Sequence, residues 1–431
     1  MARNVSENTA EHAIARRSCV ARLLPYFILA LLIPLPSHAA SDWPQWRGPN
    51  RDGQATGFKA PAHWPAQLQK RWQVDVGLGR SSPIVAGPNA YVFSRREELE
   101  VLACIRLADG KELWHGSYAA PYEFDSPSDG HDKGPQSTPV VVDTHILTFG
   151  INSTLTCWIR SNGRIKWQRD FSKLFKEAGP LESAMSPVVE GDKCIVHVGG
   201  QEHGALLALN LHDGATLWSW SGDGPGDASP IVATLDGERQ IVTQSAKACV
   251  GVDIDDGALL WSIPYQNEGD RNSVTPLAHE GSIIFSCSDN GLDRYHVERV
   301  DEQWEADSSW DNKEVSLGLS SPVIEGDRLF GFSHRHKGQL FAVDLTTGKT
   351  LWTSAGRLGE SAALVGTGKV LWALTTAGEL LVLKASDTEY QELARYKVAT
   401  TATWAHPVIL PDGVLIKDES KLTSWKLSLA P

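Results

Sequence analysis

The sequence predicts an all-β fold: an eight-bladed β-propeller of four-stranded antiparallel blades, closed by an N-terminal strand that joins the C-terminal blade. Three observations predict it. First, a turn ending in Gly is followed four residues later by Trp: Gly110 and Trp114, Gly163 and Trp167, Gly214 and Trp218, Gly257 and Trp261, Gly348 and Trp352. Second, a small or hydroxyl residue before Pro and an aliphatic pair recurs at Ser82, Thr138, Ser186, Ser229, Thr275, Ser321 and His406, with a degenerate copy at Ser361. Third, the last unit lacks one strand, and a spare strand stands ahead of the first unit. A period of about 45 residues marks an array of one supersecondary unit, and sharing a blade between the chain ends makes that array a ring without sheet edges.

Taken in order, residues 1–40 read as an export signal. Arg16, Arg17 and Arg22 precede an apolar stretch at 23–35, and Ser37-His38-Ala39 offers small residues for cleavage. That stretch is short for a membrane span. Residues 41–68 hold Trp43, Trp46 and Trp64 among Pro, Gly and Asn. Each indole can bury ~150–250 Å², so this segment is expected to be a strap packed on the ring. The propeller then occupies 69–431. Its closing strand is 71–76, with Trp72 as the repeat Trp of the last blade.

Each unit reads as a β-meander of strands A to D. In the second unit these are 138–142, 146–149, 155–159 and 165–169, short β-branched runs separated by Asp, Asn and Gly turns. Asp-Gly and Asn-Gly supply the positive backbone angles of tight turns, and Pro is tolerated where a strand opens. Blades five and seven lack the Gly of the C–D turn. The spacing assigns Trp304 and Tyr390 to their repeat positions, so the expected docking side chains are Trp72, Trp114, Trp167, Trp218, Trp261, Trp304 and Trp352.

The net charge is −12, and the first 40 residues carry four Arg against two Glu. An acidic body speaks against nucleic acid and against anionic membrane surfaces. Export permits disulfides, but the five cysteines after the signal, Cys104, Cys157, Cys194, Cys249 and Cys287, all lie in apolar strand patterns and read as buried free thiols.

The copy 342–352, Ala-Val-Asp-Leu-Thr-Thr-Gly-Lys-Thr-Leu-Trp, resembles the tryptophan-docking motif of quinoprotein alcohol and glucose dehydrogenases. The chain resembles more closely the exported proteins with pyrroloquinoline-quinone-like (PQQ-like) repeats, a group that includes the outer-membrane assembly factor BamB. The opening Trp43-Pro44-Gln45-Trp46-Arg47-Gly48-Pro49 is similar to the start of members of that group. The resemblance implies the eight-bladed ring over residues 43–428, with each Trp stacked on a peptide plane of the next blade. In the dehydrogenases it would also imply PQQ with calcium in the funnel, an Asp base and a vicinal Cys-Cys ring, but this chain has no adjacent Cys pair.

Other motifs do not hold up. The twelfth position of the calcium-loop-like run from Asp253 is Pro264 rather than Glu. Zinc spacings, a phosphate loop and a nucleophile elbow are missing from the sequence.

Binding is expected on the face built from D–A linkers and B–C loops, where the longest insertions lie. His131 and Lys133 on the linker 117–136 are the first candidates, followed by Arg271, Asn272, Trp404 and His406, and by His334 and Arg335 of the sixth B–C loop. Glu182, Asp227 and Glu360 also precede inner strands. The expected function is that of an exported, non-catalytic scaffold holding a protein, small-molecule or glycan ligand, with no catalytic residue, metal or cofactor. A PQQ-dependent oxidoreductase with calcium and a carbohydrate-binding or carbohydrate-acting protein are the alternatives.

Overall fold

The computed structural model describes residues 42–121, 134–174, 184–200, 203–266 and 272–427. They form eight four-stranded antiparallel sheets. The inner strands A are Ile84–Ala86, Val140–Val142, Val188–Glu190, Ile231–Leu235, Leu277–His279, Val323–Glu325, Ala362–Gly366 and Val408–Leu410. They number the blades 1 to 8. Strands B and C are buried along most of their length, as at Asn89–Arg96 and Leu99–Arg106, because each blade is covered on both faces by its neighbours. The outer strand Glu112–Ala119 alternates between half-buried and exposed, as a one-sided strand should.

Blade 8 closes the ring as the sequence predicts. Gln69–Asp75 pairs antiparallel with Lys421–Lys426, bringing Val74 opposite Leu422 and Trp72 opposite Ser424.

One local device explains how Trp leaves its own sheet. The C–D ladder slips by one residue beside the repeat position, at Cys104/Ile105 opposite Trp114 and at Ala208/Leu209 beside Trp218. A bulge of this kind increases twist and re-aims a side chain. Trp72 then donates from Nε1 to Leu107 O of blade 1 at 2.8 Å, Trp167 to Leu211 O at 2.9 Å and Trp218 to Ile254 O at 3.1 Å. The repeat Gly meets the arriving ring with φ near +70°. A Cβ on Gly163 would lie 2.5 Å from Trp114, and one on Gly110 would lie 2.7 Å from Trp72. Both the backbone angle and the close approach therefore require Gly there.

Three expected positions differ. Trp304 does not dock on blade 6; Trp310 does, donating to Leu345 O at 2.8 Å and lying 2.7 Å from where a Gly348 Cβ would stand. The reason is a longer hairpin, Gly291–Val300 and Gln303–Asn312, which moves the bulge and its Trp six residues beyond the nominal spacing. Trp304 instead packs on the apolar cluster of Trp261, Phe285 and Val297 between blades 4 and 5. Trp261 stays in its own blade, bonded to Gln240 Oε1 at 2.7 Å, because blade 5 presents no Gly turn to receive it. In blade 7 the position beside the bulge is Ala394, while Tyr390 precedes the outer strand and packs on Trp352. Cys104, Cys157, Cys194, Cys249 and Cys287 are all buried, and they are not joined to one another as disulfides.

A second seam runs around the channel. Hydroxyls ahead of inner-strand Pro residues accept a backbone N–H from the neighbouring blade: His406 N to Ser82 Oγ at 2.8 Å, Ser82 N to Thr138 Oγ1 at 3.2 Å, Thr138 N to Ser186 Oγ at 2.9 Å and Ser186 N to Ser229 Oγ at 2.9 Å. Thr275 N to Ser321 Oγ, at 3.3 Å, continues the pattern. The recurring Ser/Thr-Pro phrase thus supplies an interblade acceptor in blades 1, 2, 3, 4 and 6. Replacing Ser186 with Ala leaves the buried Thr138 N–H without a partner and is expected to cost about 1–3 kcal/mol. Denaturant unfolding that matches the parent protein would discount this seam.

Candidate functional site

The segment 43–55 enters the central channel as a tight hairpin. On the C–D turn side, Trp43 exchanges backbone bonds with Val85 at 2.8 and 2.9 Å, Val141 N reaches Pro44 O at 2.8 Å, and Gly366 brackets Gly53 and Ala55 at 2.9 Å each. The tip reaches the other ends of the inner strands. Trp46 Nε1 donates to Thr275 Oγ1 at 3.0 Å, Arg51 donates to Pro187 O at 2.9 Å and Ser186 O at 3.0 Å, and Arg47 donates to Pro322 O. One short segment therefore ties together blades 1, 2, 3, 5, 6 and 7. Arg47 and Arg51 take left-handed backbone angles, φ 60 and 58, inside this turn.

Both guanidiniums are buried and bond to carbonyl oxygens rather than to carboxylates. Burial pushes the Arg47 group down to about 10, partly opposed by Asp52, and burial with the nearby Arg47 charge pushes Arg51 down to about 9. These bonds seat the segment across the channel, and on the D–A linker face the described residues line a funnel.

That funnel has a cavity volume of about 200 Å³. Trp46 forms its floor. Its walls come from the residues two places ahead of the hydroxyl ring, Arg80, Gln136, Ala184, Asp227, Ser273, Leu319 and Trp404 among them. The Arg80 guanidinium carbon lies 4.4 Å from the centre of the Trp404 ring, a cation–π contact that fixes the wall between blades 8 and 1. Behind that pair a smaller space of about 80 Å³ reaches Asp418 and Glu419.

The candidates named from sequence separate into distinct places. His131, Lys133, Arg271 and Glu182 lie outside the described residues. Trp404 lines the funnel. His406 is buried just below the mouth, its ring centre 4.3 Å from that of Trp46, and burial followed by the Arg47 charge holds its imidazole down to about 3. It is therefore a neutral packing group at ordinary pH. Asn272 faces inward as a bracket, with Nδ2 donating to Ser245 O and Tyr265 O at 2.8 Å each. His334 and Arg335 do not line the funnel. Arg335 is fastened to the carbonyls of Lys313 and Glu314, and His334 faces Asp289 at 3.4 Å. Arg80 and Trp46 are funnel residues the candidate list missed. The signal was the fixed offset of Arg80 from its Ser-Pro phrase, the same offset at which six further lining residues stand.

Among the described residues no three His, Cys, Asp or Glu side chains converge as a metal site. Asp227 is the one carboxylate among the described lining residues of the funnel cavity. Calcium takes 6–8 oxygen ligands, usually with several carboxylates. The described funnel residues thus offer a calcium ion a single carboxylate, fewer than a calcium–quinone site needs. No helix among the described residues is long and apolar enough to cross a membrane.

Comparison with known proteins follows the same lines. A family model described as outer membrane protein assembly factor BamB matches residues 98–354 and again 303–413. No curated protein matches the sequence. Among solved structures, BamB from Moraxella catarrhalis is similar at 15% identity and TM-score 0.62, covering 83% of this chain and 99% of that one. A quinohemoprotein alcohol dehydrogenase from Comamonas testosteroni is similar at 13% identity and TM-score 0.63, covering 91% of this chain and 82% of that one. At such identities the likeness is one of fold, which does not carry activity with it.

Proposed function

Since the chain belongs to the propeller family described as outer membrane protein assembly factor BamB, we propose that it is an exported, non-catalytic binding propeller whose ligand or protein partner sits on the D–A linker face. The observation that carries this reading is the hairpin seated in the channel. Arg47, Arg51 and Trp46 lie in the channel and tie the segment to the inner strands of blades 6, 3 and 5, which backs the funnel from below. A rigid scaffold that presents loops around one concave mouth suits recognition. The funnel walls are mainly small, neutral or aromatic, which favours binding over acid–base chemistry. The apolar, Arg-bearing start of the chain supports export.

Titration of the purified protein with PQQ and calcium separates this reading from an oxidoreductase. The expected result is an unchanged quinone spectrum and no dye-linked turnover of alcohols or aldoses. A saturable spectral shift accompanied by turnover would overturn the non-catalytic assignment.

A further inference from the structure

We propose that two turns at one end of blade 6 form a second site, a groove that takes a phosphate monoester carried on a sugar or another polyol. The groove opens on the D–A linker face but shares no lining residue with the funnel, so it goes beyond the reading above. The B–C turn of blade 6 is His334-Arg335-His336-Lys337, and the linker beside it carries Arg357 and Glu360. Backbone bonds fasten the two turns together: Arg357 N to His336 O at 3.0 Å, Leu358 N to Gly338 O at 3.0 Å and Gly359 N to Lys337 O at 3.2 Å. A Cβ on Gly338 would lie 2.1 Å from Gly359 O, and one on Gly356 would lie 2.4 Å from His336 O, so the two backbones are in contact. Arg335 holds the pair against the preceding linker through the carbonyls of Lys313 and Glu314.

On this platform lies an open groove of about 450 Å³, lined by His334, Lys337, Arg357, Gly359 and Glu360. That volume is within the ~300–1,000 Å³ of small-molecule sites. His336, Lys337 and Arg357 take left-handed backbone angles, φ 55, 65 and 75. Strained non-glycine backbone of this kind gathers at ligand sites. His334 is turned to Asp289 at 3.4 Å. The side chains of Lys337, Arg357 and Glu360 are exposed and form no hydrogen bond or ion pair among the described residues. Two cations thus stand uncompensated on a chain of net charge −12. A phosphate monoester carries about −1.5 to −2 at neutral pH. The planar fork of Arg357 matches two of its oxygens, and Lys337 adds a point charge. Glu360 repels a bare anion but accepts hydrogen bonds from hydroxyls beside the phosphate, which selects the ester of a polyol over free phosphate. Because the turns are fixed to each other, binding has only the side-chain ends to order.

Calorimetry on the full chain tests this with glucose 6-phosphate, inorganic phosphate and glucose. The ester is expected to bind ~10-fold or more tightly than inorganic phosphate, and glucose alone not to bind. Lys337→Gln and Arg357→Gln should each weaken both phosphate ligands by ~10-fold. Glu360→Gln should bring the two to within ~2-fold of each other, weakening the ester and strengthening inorganic phosphate. Lys59→Gln removes a charge from the strap and should leave every affinity at the parent value. All four variants should melt within a few degrees of the parent, since each alters an exposed side chain rather than a ring seam. Silence towards both phosphate ligands, groove variants that bind like the parent, or an equal loss in Lys59→Gln would overturn the proposal. So would binding of phosphatidylglycerol vesicles in place of the soluble ester. These outcomes are independent of the PQQ titration, so this groove can fail while the non-catalytic reading stands.

Discussion

Replacing Arg47 with alanine is expected to lower the unfolding free energy by about 2–5 kcal/mol. The guanidinium donates to the carbonyls of Arg51, Asp52 and Pro322. Hydrogen bonds from a charged donor contribute about 1.5–3 kcal/mol each, or roughly 5–9 kcal/mol for three. Burial of the same charge works against them. It drives the group from 12.5 down to about 10, and at about 1.4 kcal/mol per pKa unit this costs roughly 3 kcal/mol. The bonds win, and alanine loses both the bonds and the cost. Arg47→Lys should recover only part of the loss, because an ammonium lacks the planar fork that spans the hairpin and Pro322. Lys59→Ala, at an exposed position of the same strap, should stay within ±0.5 kcal/mol of the parent. Urea unfolding measures all three. An Arg47→Ala protein as stable as Lys59→Ala would mean that the hairpin is not seated in the channel.

This prediction concerns the part of the molecule that was hardest to read from the chain. The ring was legible because its two seams are repeated: Gly and Trp for the outer seam, Ser/Thr and Pro for the inner one. The hydroxyl's role as interblade acceptor was not legible, since a Ser before Pro reads first as a strand opener. Trp304 stood at the nominal spacing, and only the register of a ten-residue hairpin reveals that Trp310 makes the contact. The strap announced itself through three Trp, which pointed to packing somewhere on the ring. Its entry into the channel depends on two buried arginines, and Arg is a residue type normally assigned to the surface. Asn272 looked like a rim side chain because it follows a linker, yet its amide turns inward to three carbonyls. Side-chain direction at the end of a linker is set by tertiary contacts that no local pattern encodes.

Acidification should unfold the propeller through two imidazoles that the sequence did not mark as structural. His406 is held down to about 3 and His197 to about 4, in both cases chiefly by burial. An unfolded histidine titrates near 6.5. As the pH falls below that value the unfolded chain takes up protons that the folded chain refuses, so the equilibrium moves towards unfolding. The stability these groups contribute is fully present above about pH 6.5 and is lost as the pH falls towards the folded values of about 3 and about 4. Between pH 6.5 and 4 each imidazole withdraws roughly 3 kcal/mol. Glu100 and Glu325 act in the opposite sense: burial raises both carboxyls, so their protonation favours the folded state and offsets part of the loss. A comparison of variants isolates the imidazole. His406→Asn keeps the backbone N–H that bonds Ser82 and removes the titrating ring. Urea unfolding of the parent and of His406→Asn at pH 7.5 and pH 4.5 should show a smaller loss on acidification in the variant, by about 2–3 kcal/mol. Equal losses in the two proteins would show that the ring beside Trp46 is already hydrated and free to charge, and with it that the tip of the plug stands open to water.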